Sequence, residues 1–343
     1  RCAVWKSCSL KRVSNYNQIF CHKGSLLFSK RCICIFFYYK SGRMYMNGSY
    51  QLLKFLSRVC CRLSDRSAVK MGHILGEFFW MLIPNRRKKL ALRNIFRGNI
   101  TKDVKTAEEI SKAAAVRFGT IGMSVFRFPL LNKKNISDYV VIQGKEKLDE
   151  ILASGEGCII AGNHCGNWEL EGAALALYGY PILAVGMKQS NEGFDKFIRE
   201  YRSIPGQTVE YKTGVRDMLR RLKEGYFVGL LCDQDPGDTG LISPFLGQKT
   251  LTPTGPAHFA LMTGRPVLMA FMHQLTDYTY EIIVEDPIYA DKNLGKKESV
   301  RQITDDINKR LGNWIKKHPE DWFWLHNRWK WTDRFYPELK EES

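Results

Sequence analysis

The chain has 343 residues, 44% hydrophobic and 25% charged, which excludes a disordered chain and allows one large domain or two modest ones with a sizeable core. Its formal net charge of +17 favours acidic partners: nucleic acid, anionic head groups, phosphorylated substrates or an acidic carrier protein.

Residues 1–43 stand apart. They carry nine Lys/Arg and no Asp/Glu, so only +8 of the charge belongs to residues 44–343. Cys2, Cys8, Cys21, Cys32 and Cys34 lie there too. The apolar run CICIFFYY is too short to span a bilayer, and no small-residue cleavage site follows it, which argues against a signal peptide. The stretch reads as upstream sequence translated by mistake and disordered, with the true start at Met44 or Met46. The other cysteines (Cys60, Cys61, Cys158, Cys165, Cys232) lack C-x-x-C spacing and read as reduced thiols, with no zinc site.

Residues 44–98 read as an N-terminal helical region. YQLLKFLSRVCCRL, from Tyr50 to Leu63, has apolar residues at helical spacing. MGHILGEFFWMLIP, from Met71 to Pro84, offers about 13 apolar positions, short of the ~20 that a spanning helix needs. Phe78, Phe79 and Trp80, followed by Arg86, Arg87, Lys88 and Lys89, fit a helix lying in a membrane interface. The alternative is a core helix with a solvated basic end.

Residues 99–343 read as one α/β domain. Apolar, β-rich runs appear at YVVIQG, GCIIAGNH, PILAVGM, TVEYK, YFVGLLCDQ, PVLMAFMH and YTYEIIVE. Helical segments are expected over Trp168–Tyr178, Phe194–Arg202, Gly214–Glu224, Gly255–Thr263 and Ser299–Lys317. Continuous apolar strands alternating with helices predict a mostly parallel, mixed central sheet covered on both faces. Ligand sites in such sheets gather at the carboxyl ends of strands, where His164 and Asp233 both fall.

IIAGNHCGNWELEG, Ile159 to Gly172, sets Asn163 and His164 at the end of a strand, with Glu169 five residues after the histidine. On a regular helix that offset turns about 500°, so the two side chains cannot share a face. They meet if His164 sits in the strand-to-helix turn and Glu169 in the first helical turn. Gly162 and Gly166 permit the turn, and Asn167 is placed to cap the helix. Glu169 would then fix the imidazole tautomer and leave the other nitrogen free as a base. The alternative is an ordinary polar turn.

Asp233, Asp235 and Asp238 lack EF-hand spacing: Pro244 stands where the twelfth-position Glu belongs. No metal is predicted there. Asp233 is better placed to orient a catalytic group or a substrate. SPFLGQKTLTPTGPAHFALMTGRP suits a helix N-terminus capped by Thr252 or Thr254. No nucleotide-binding glycine motif or G-x-S-x-G elbow occurs. Cys165 reads as bystander packing. In DWFWLHNRWKW, Trp322, Trp324, Trp329 and Trp331 alternate with basic residues, suiting a membrane interface, single-stranded nucleic acid, or indoles packed in a core.

Together NHCGNWE, DQDPG, PFLG…TPTGPAHFALMTGRPV and PEDWFWLHNRWK resemble the bacterial lauroyl/myristoyl acyltransferases of lipid A biosynthesis, over about Tyr50 to Tyr336. The resemblance implies a glycerolipid-acyltransferase-like α/β fold with a membrane-associated N-terminal region at the cytoplasmic face of the inner membrane. It implies acyl transfer from an acyl carrier protein thioester to a hydroxyl of an anionic glycolipid, with no cofactor and no nucleic acid. His164 would be the general base and Glu169 its partner. Arg202 and Asp233 match functional positions, with Asn163 and Asn167 in support. Lys188, in GMKQSN, stands where the family often has Arg, and the two differ as phosphate clamps. The rival expectations are another glycolipid or glycerolipid acceptor, and a non-enzymatic basic membrane-binding protein. Glycerolipid enzymes usually carry Asp at the Glu169 position and a Phe-Pro-Glu-Gly-Thr-Arg segment that is missing from this sequence.

Overall fold

The computed structural model describes residues 43–339, with side-chain burial from residue 48. The reading of residues 1–43 as a false start lies outside these residues, Arg43 apart. Four helices come first: α1 Arg43–Cys60, α2 Asp65–Leu82, α3 Asn85–Arg97 and α4 Val104–Phe126. Ser64 caps α2 by accepting from Ser67 N–H, and Asp103 caps α4 by accepting from Thr106 N–H. Pro84 ends α2 by forcing Ile83 into an extended conformation. The helix expected around Met71–Pro84 is thus present as α2. By contrast α4 went unrecognised in the sequence. Its buried positions include Ala107, Ser111, Ala114 and Ala115, small side chains that leave little periodic signal.

The small residues let α2 and α4 touch backbone to backbone. A Cβ added to Gly76 would lie 2.0 Å from the Val116 carbonyl oxygen. One on Gly119 would lie 2.0 Å from the Gly72 carbonyl oxygen. The helix α1 packs on a later helix of the α/β part, so the region read as 44–98 sits in one unit with the residues after it.

The α/β part continues with α5 Ile136–Tyr139, β1 Val140–Gln143, α6 Lys145–Ala153, β2 Cys158–Gly162, α7 Trp168–Leu177, β3 Ile182–Gly186 and α8 Glu192–Ser203. The chain then forms β4 Thr208–Tyr211, α9 Val215–Lys223, β5 Phe227–Leu231, β6 Leu241–Phe245, β7 Gln248–Thr252 and α10 Gly255–Thr263. It ends with β8 Val267–Leu268, β9 Ala270–Gln274, β10 Tyr280–Val284, α11 Lys296–Lys317 and α12 Lys330–Phe335.

Strands β4, β3, β5, β2 and β8 form, in that order, an all-parallel sheet. Alternate residues of its strands enter two different cores. Ile159, Ala161 and Val228 join the one built with α9, α10 and α11; Cys158, Ile160 and Phe227 join the one built with α6, α7 and α8. Burial on both faces is why these strands read as unbroken apolar runs.

Two features differ from expectation. Among the described residues the strands form three sheets, not one. A second, mixed sheet has the order β1-β10-β9, and the run PVLMAFMH divides at Met269 between it and the parallel sheet. Every residue from Val267 to Met272 is buried, so hydrophobicity does not mark the division. The third is the β6–β7 hairpin, Leu241–Thr252, in a stretch where the sequence pattern marks no strands. Its Leu246-Gly247 turn has φ of 51° and 80°, the left-handed pair that a two-residue hairpin of this hand requires.

Candidate active site

The first two members of the site come from the ends of adjacent strands. β2 and β5 run parallel with Gly162 paired to Leu231, so the residues that follow, His164 and Asp233, emerge side by side at the carboxyl edge. His164 Nδ1 lies 2.8 Å from Asp233 Oδ1. The other oxygen, Oδ2, accepts from the His164 backbone N–H at 3.0 Å and from Trp322 Nε1–H at 2.9 Å. Asp233 is only 1% exposed.

Burial by itself would raise the Asp233 carboxyl. The charge and hydrogen bonds of His164 and the Trp322 donor outweigh it, holding the pKa down at about 2. Burial would lower the imidazole. Asp233, by charge and hydrogen bond, and Glu169, by charge, outweigh that and raise it above the usual 6.5. With Nδ1–H directed at a carboxylate, Nε2 carries the lone pair, and no described residue hydrogen-bonds it. The Trp168 ring flanks the imidazole at 5.0 Å between centroids.

The expectation that Glu169 sets the tautomer is corrected by this geometry. The carboxylate of Glu169 accepts a two-point bond from Arg202, Nε–H to Oε2 at 2.9 Å and Nη2–H to Oε1 at 2.6 Å. Its place at His164 Nδ1 is taken by Asp233. Glu169 follows Asn167 in the first turn of α7, as expected, but its side chain faces α8, which carries Arg202. It acts on His164 through charge alone.

The turn is built from its own side chains. Asn163 is buried; its Nδ2 donates to the Ala270 carbonyl at 3.0 Å, and its Oδ1 accepts from Cys165 N–H at 3.1 Å. Asn167 caps α7 as predicted, accepting from Leu170 N–H at 3.1 Å and donating to Ser124 Oγ at 2.9 Å. Gly166 has φ of 58°, and an added Cβ would lie 1.9 Å from the Met272 carbonyl oxygen. Glycine is therefore required there, whereas Gly162 belongs to β2 and has no positive φ. Cys165 is fully buried and burial pushes its thiol well up, so it holds no reactive thiolate. Lys188 stands exposed in the connection between β3 and α8, with no hydrogen bond or ion pair to His164, Glu169, Arg202 or Asp233.

Two residues of the site escaped the sequence reading. Trp322 was seen only as one of four alternating indoles, yet its N–H helps hold Asp233 in its ionised form. Glu171 is buried on α7 beside Glu169, and burial raises its carboxyl to about 8. It lines a pocket of about 90 Å³ with Glu169, Arg202, Trp168, Gln207 and Leu231. Glu169 is marked by the H-x₄-E spacing and Asp233 by its place after an apolar strand; Glu171, one turn into α7, carries neither mark.

The C-terminal motifs serve the framework. Trp322, Trp324 and Trp329 are buried, so those indoles pack in the core. His326 Nε2 accepts from Asp235 N–H at 3.0 Å, and the Asp235 carboxylate accepts from Gly237 N–H and Trp331 N–H. Arg328 is buried with its guanidinium donating to the Leu251 carbonyl and the Thr252 hydroxyl; burial lowers its pKa to about 10. Thr252 also accepts from Asn308, and Thr254, though at the cap position of α10, makes no side-chain cap. The capping role expected of these threonines is therefore absent.

A His–Asp pair at the carboxyl edge of a parallel α/β sheet, its carboxylate buried and one imidazole nitrogen unengaged, has the geometry needed to accept a proton from a bound group. The chain is an acyltransferase, and it belongs to the bacterial lipid A biosynthesis acyltransferase family, whose model matches residues 49–331. Among its relatives, the phosphatidylinositol mannoside acyltransferase of Mycobacterium tuberculosis (strain CDC 1551 / Oshkosh) is 27% identical over 225 residues, 63% of this chain and 69% of that one. The lipid A biosynthesis palmitoleoyltransferase of Escherichia coli (strain K12) is 22% identical over 251 residues, 71% of this chain and 79% of that one. A solved structure, the 1-acyl-sn-glycerophosphate acyltransferase PlsC from Thermotoga maritima, superposes with a TM-score of 0.35 at 16% identity, over 72% of this chain and 98% of that one.

Proposed function

We propose that the protein moves a fatty acyl chain from an acyl carrier protein thioester to a hydroxyl of a lipid A precursor, working at the cytoplasmic face of the inner membrane. The observation that carries this reading is the His164 imidazole, anchored at Nδ1 by Asp233 and unengaged at Nε2, in a chain of this family. Nε2 takes the proton of the acceptor hydroxyl as its oxygen attacks the thioester carbonyl. Asp233 stabilises the imidazolium that forms. The C–S bond then breaks, and the departing thiolate takes the proton from Nε2, leaving an ester and a free carrier thiol. No covalent enzyme intermediate is involved.

The tetrahedral oxyanion needs donors. The Gly166 N–H is occupied by the Asp321 carbonyl at 3.0 Å. The first-turn N–H groups of Trp168 and Glu169 have no acceptor among the described residues and are the donors we assign. Arg202 uses Nε and Nη2 on Glu169, which makes it a positioning group for the first turn of α7. The Lys188 ammonium, exposed beyond β3, is assigned to the anionic acceptor as a point charge.

Membrane association is supported by the surfaces of α1 and α2. Leu52, Phe55, Leu56 and Val59 on α1, and Met71, Ile74, Leu75, Phe78 and Leu82 on α2, are exposed at i, i+3, i+4 spacing. No described helix is long and apolar enough to cross a membrane, and a stripe of this kind suits burial in the interface.

A second acceptor class has a specific observation behind it. The mycobacterial phosphatidylinositol mannoside enzyme matches at 27% identity against 22% for the Escherichia coli palmitoleoyltransferase. Both acceptors are anionic glycolipids with free hydroxyls. Purified protein would be incubated with acyl carrier protein thioesters and each acceptor, and products weighed by mass spectrometry. Acylated lipid A precursor is the expected product. Acylation of the mannoside alone would establish the second reading, and no acylation of either would overturn both. His164→Ala is expected to abolish transfer while leaving the circular dichroism spectrum unchanged.

A further inference from the structure

Beside the catalytic turn lies a second cluster of titratable groups that the proposed reaction does not use. His273 on β9, His318 just after α11 and Asp321 in the segment leading to Trp322 each bring a ligand-type atom within 4.8 Å of the other two. His273 Nδ1 lies 3.3 Å from Asp321 Oδ2. The two imidazole centroids are 4.3 Å apart, and the Trp314 ring packs on His318 at 4.5 Å. We propose that His273, His318 and Asp321 bind a divalent transition-metal ion of the zinc type on the flank of the catalytic turn.

The donor set is two imidazoles and one carboxylate, which suits a borderline metal and leaves room for water or an external ligand in a fourth position. Tetrahedral zinc with bonds of about 2.0–2.2 Å spaces its ligand atoms roughly 3.4 Å apart. The His273–Asp321 separation of 3.3 Å is close to that value, and an ion would draw the remaining ligand atoms in from within 4.8 Å. Asp321 is buried and its other oxygen, Oδ1, is ion-paired to Arg117. An outer donor of this kind holds a ligating carboxylate in one orientation. Glu281, opposite His273 in the β10–β9 register, places a second carboxylate on that face, where it accepts from the Gln143 side-chain amide.

The cluster is wired to the reaction centre through the backbone. The Asp321 carbonyl accepts from Gly166 N–H at 3.0 Å, Trp322 bridges to Cys165, and Trp322 Nε1–H reaches Asp233. A metal ion on Asp321 thus pins the segment that holds both the turn and the acid of the His–Asp pair. Neither the cysteines nor the aspartates that the sequence brought forward take part. His318 and Asp321 share one short turn, in which the His318 carbonyl accepts from Asp321 N–H at 3.0 Å, and the fold brings that turn to His273 on β9.

The test is a cobalt titration of the full chain after treatment with EDTA, read by the visible absorption of tetrahedral Co²⁺. The expected result is one ion per chain, displaced by Zn²⁺, with affinity weakened by at least roughly tenfold in His273→Ala and in His318→Ala. Zn²⁺ is also expected to raise the thermal midpoint of the wild-type chain and not that of either variant. Circular dichroism checks that both variants fold, and His258→Ala, on α10, is expected to bind as the wild type does. Absence of a visible spectrum at millimolar Co²⁺ would overturn the proposal. So would binding of equal strength in both variants, which would place the ion on other groups, such as His22 and the thiols of residues 1–42.

Discussion

Replacing Asp233 by Asn keeps the shape of the side chain and removes its charge. The structure dictates how the amide must turn. Position Oδ2 accepts two N–H groups, from the His164 backbone and from Trp322, so the carbonyl oxygen of Asn must take that place. Its NH₂ group then faces His164 Nδ1 at the former 2.8 Å contact and demands a lone pair there. The imidazole proton moves to Nε2, and the nitrogen that should receive the hydroxyl proton becomes a donor. A wrong-tautomer base of this kind costs about 10⁴ in kcat in a serine protease triad, or about 5.5 kcal/mol at about 1.36 kcal/mol per factor of ten. Thioester turnover by Asp233→Asn, followed as release of the carrier thiol, is expected to fall by about that factor with the fold retained. Glu169→Gln is expected to fall less, by roughly 10²-fold, because Glu169 touches Arg202 and not the imidazole. If Asp233→Asn kept more than a tenth of wild-type turnover, or lost less than Glu169→Gln, the assignment of Asp233 as the partner of His164 would be wrong.

Three further outcomes are expected. The imidazole must be neutral to act, so the rate should be lost as pH falls through the raised pKa of His164, at a pH above 6.5; in Glu169→Gln, where a contributor to the raise is gone, the limb of kcat/KM against pH should move to lower pH. Gly166→Ala meets both a positive φ and the Met272 carbonyl, and should lower stability in urea by roughly 3 kcal/mol or more, a loss read as an earlier midpoint. Leu75→Glu with Phe78→Glu, two exposed positions on α2, should weaken co-sedimentation with anionic vesicles by at least about tenfold without changing the thermal midpoint by more than a few degrees.

Much of the framework was legible because its causes are local. The strands at Cys158–Gly162, Ile182–Gly186 and Phe227–Leu231 are apolar on both faces, and a strand buried on both faces leaves that mark in any sequence. Asn167 announced the start of α7 because a cap acts on the residue three positions later. The same logic explains the failures. α4 is held by close backbone contact at Gly119 and by alanines, which carry little periodic hydrophobicity. The hairpin at Leu241–Thr252 depends on a positive φ at Leu246, a residue that does not advertise one. The indoles of the C-terminal segment alternate with charges, and which way such a segment turns is settled by what it packs on.

By itself the sequence determined the α/β class, the strand-end position of His164 and the membership of the family, since each rests on pattern along the chain. Tertiary structure alone decided who holds the histidine. Glu169 is five residues away and turns toward Arg202; Asp233 is distant in sequence but pairs with His164 because β2 and β5 are neighbours in parallel register. Trp322 joins them from the far end of the chain. Strand order is a property of the sheet as a whole, and it, rather than separation along the chain, sets which carboxylate reaches the imidazole.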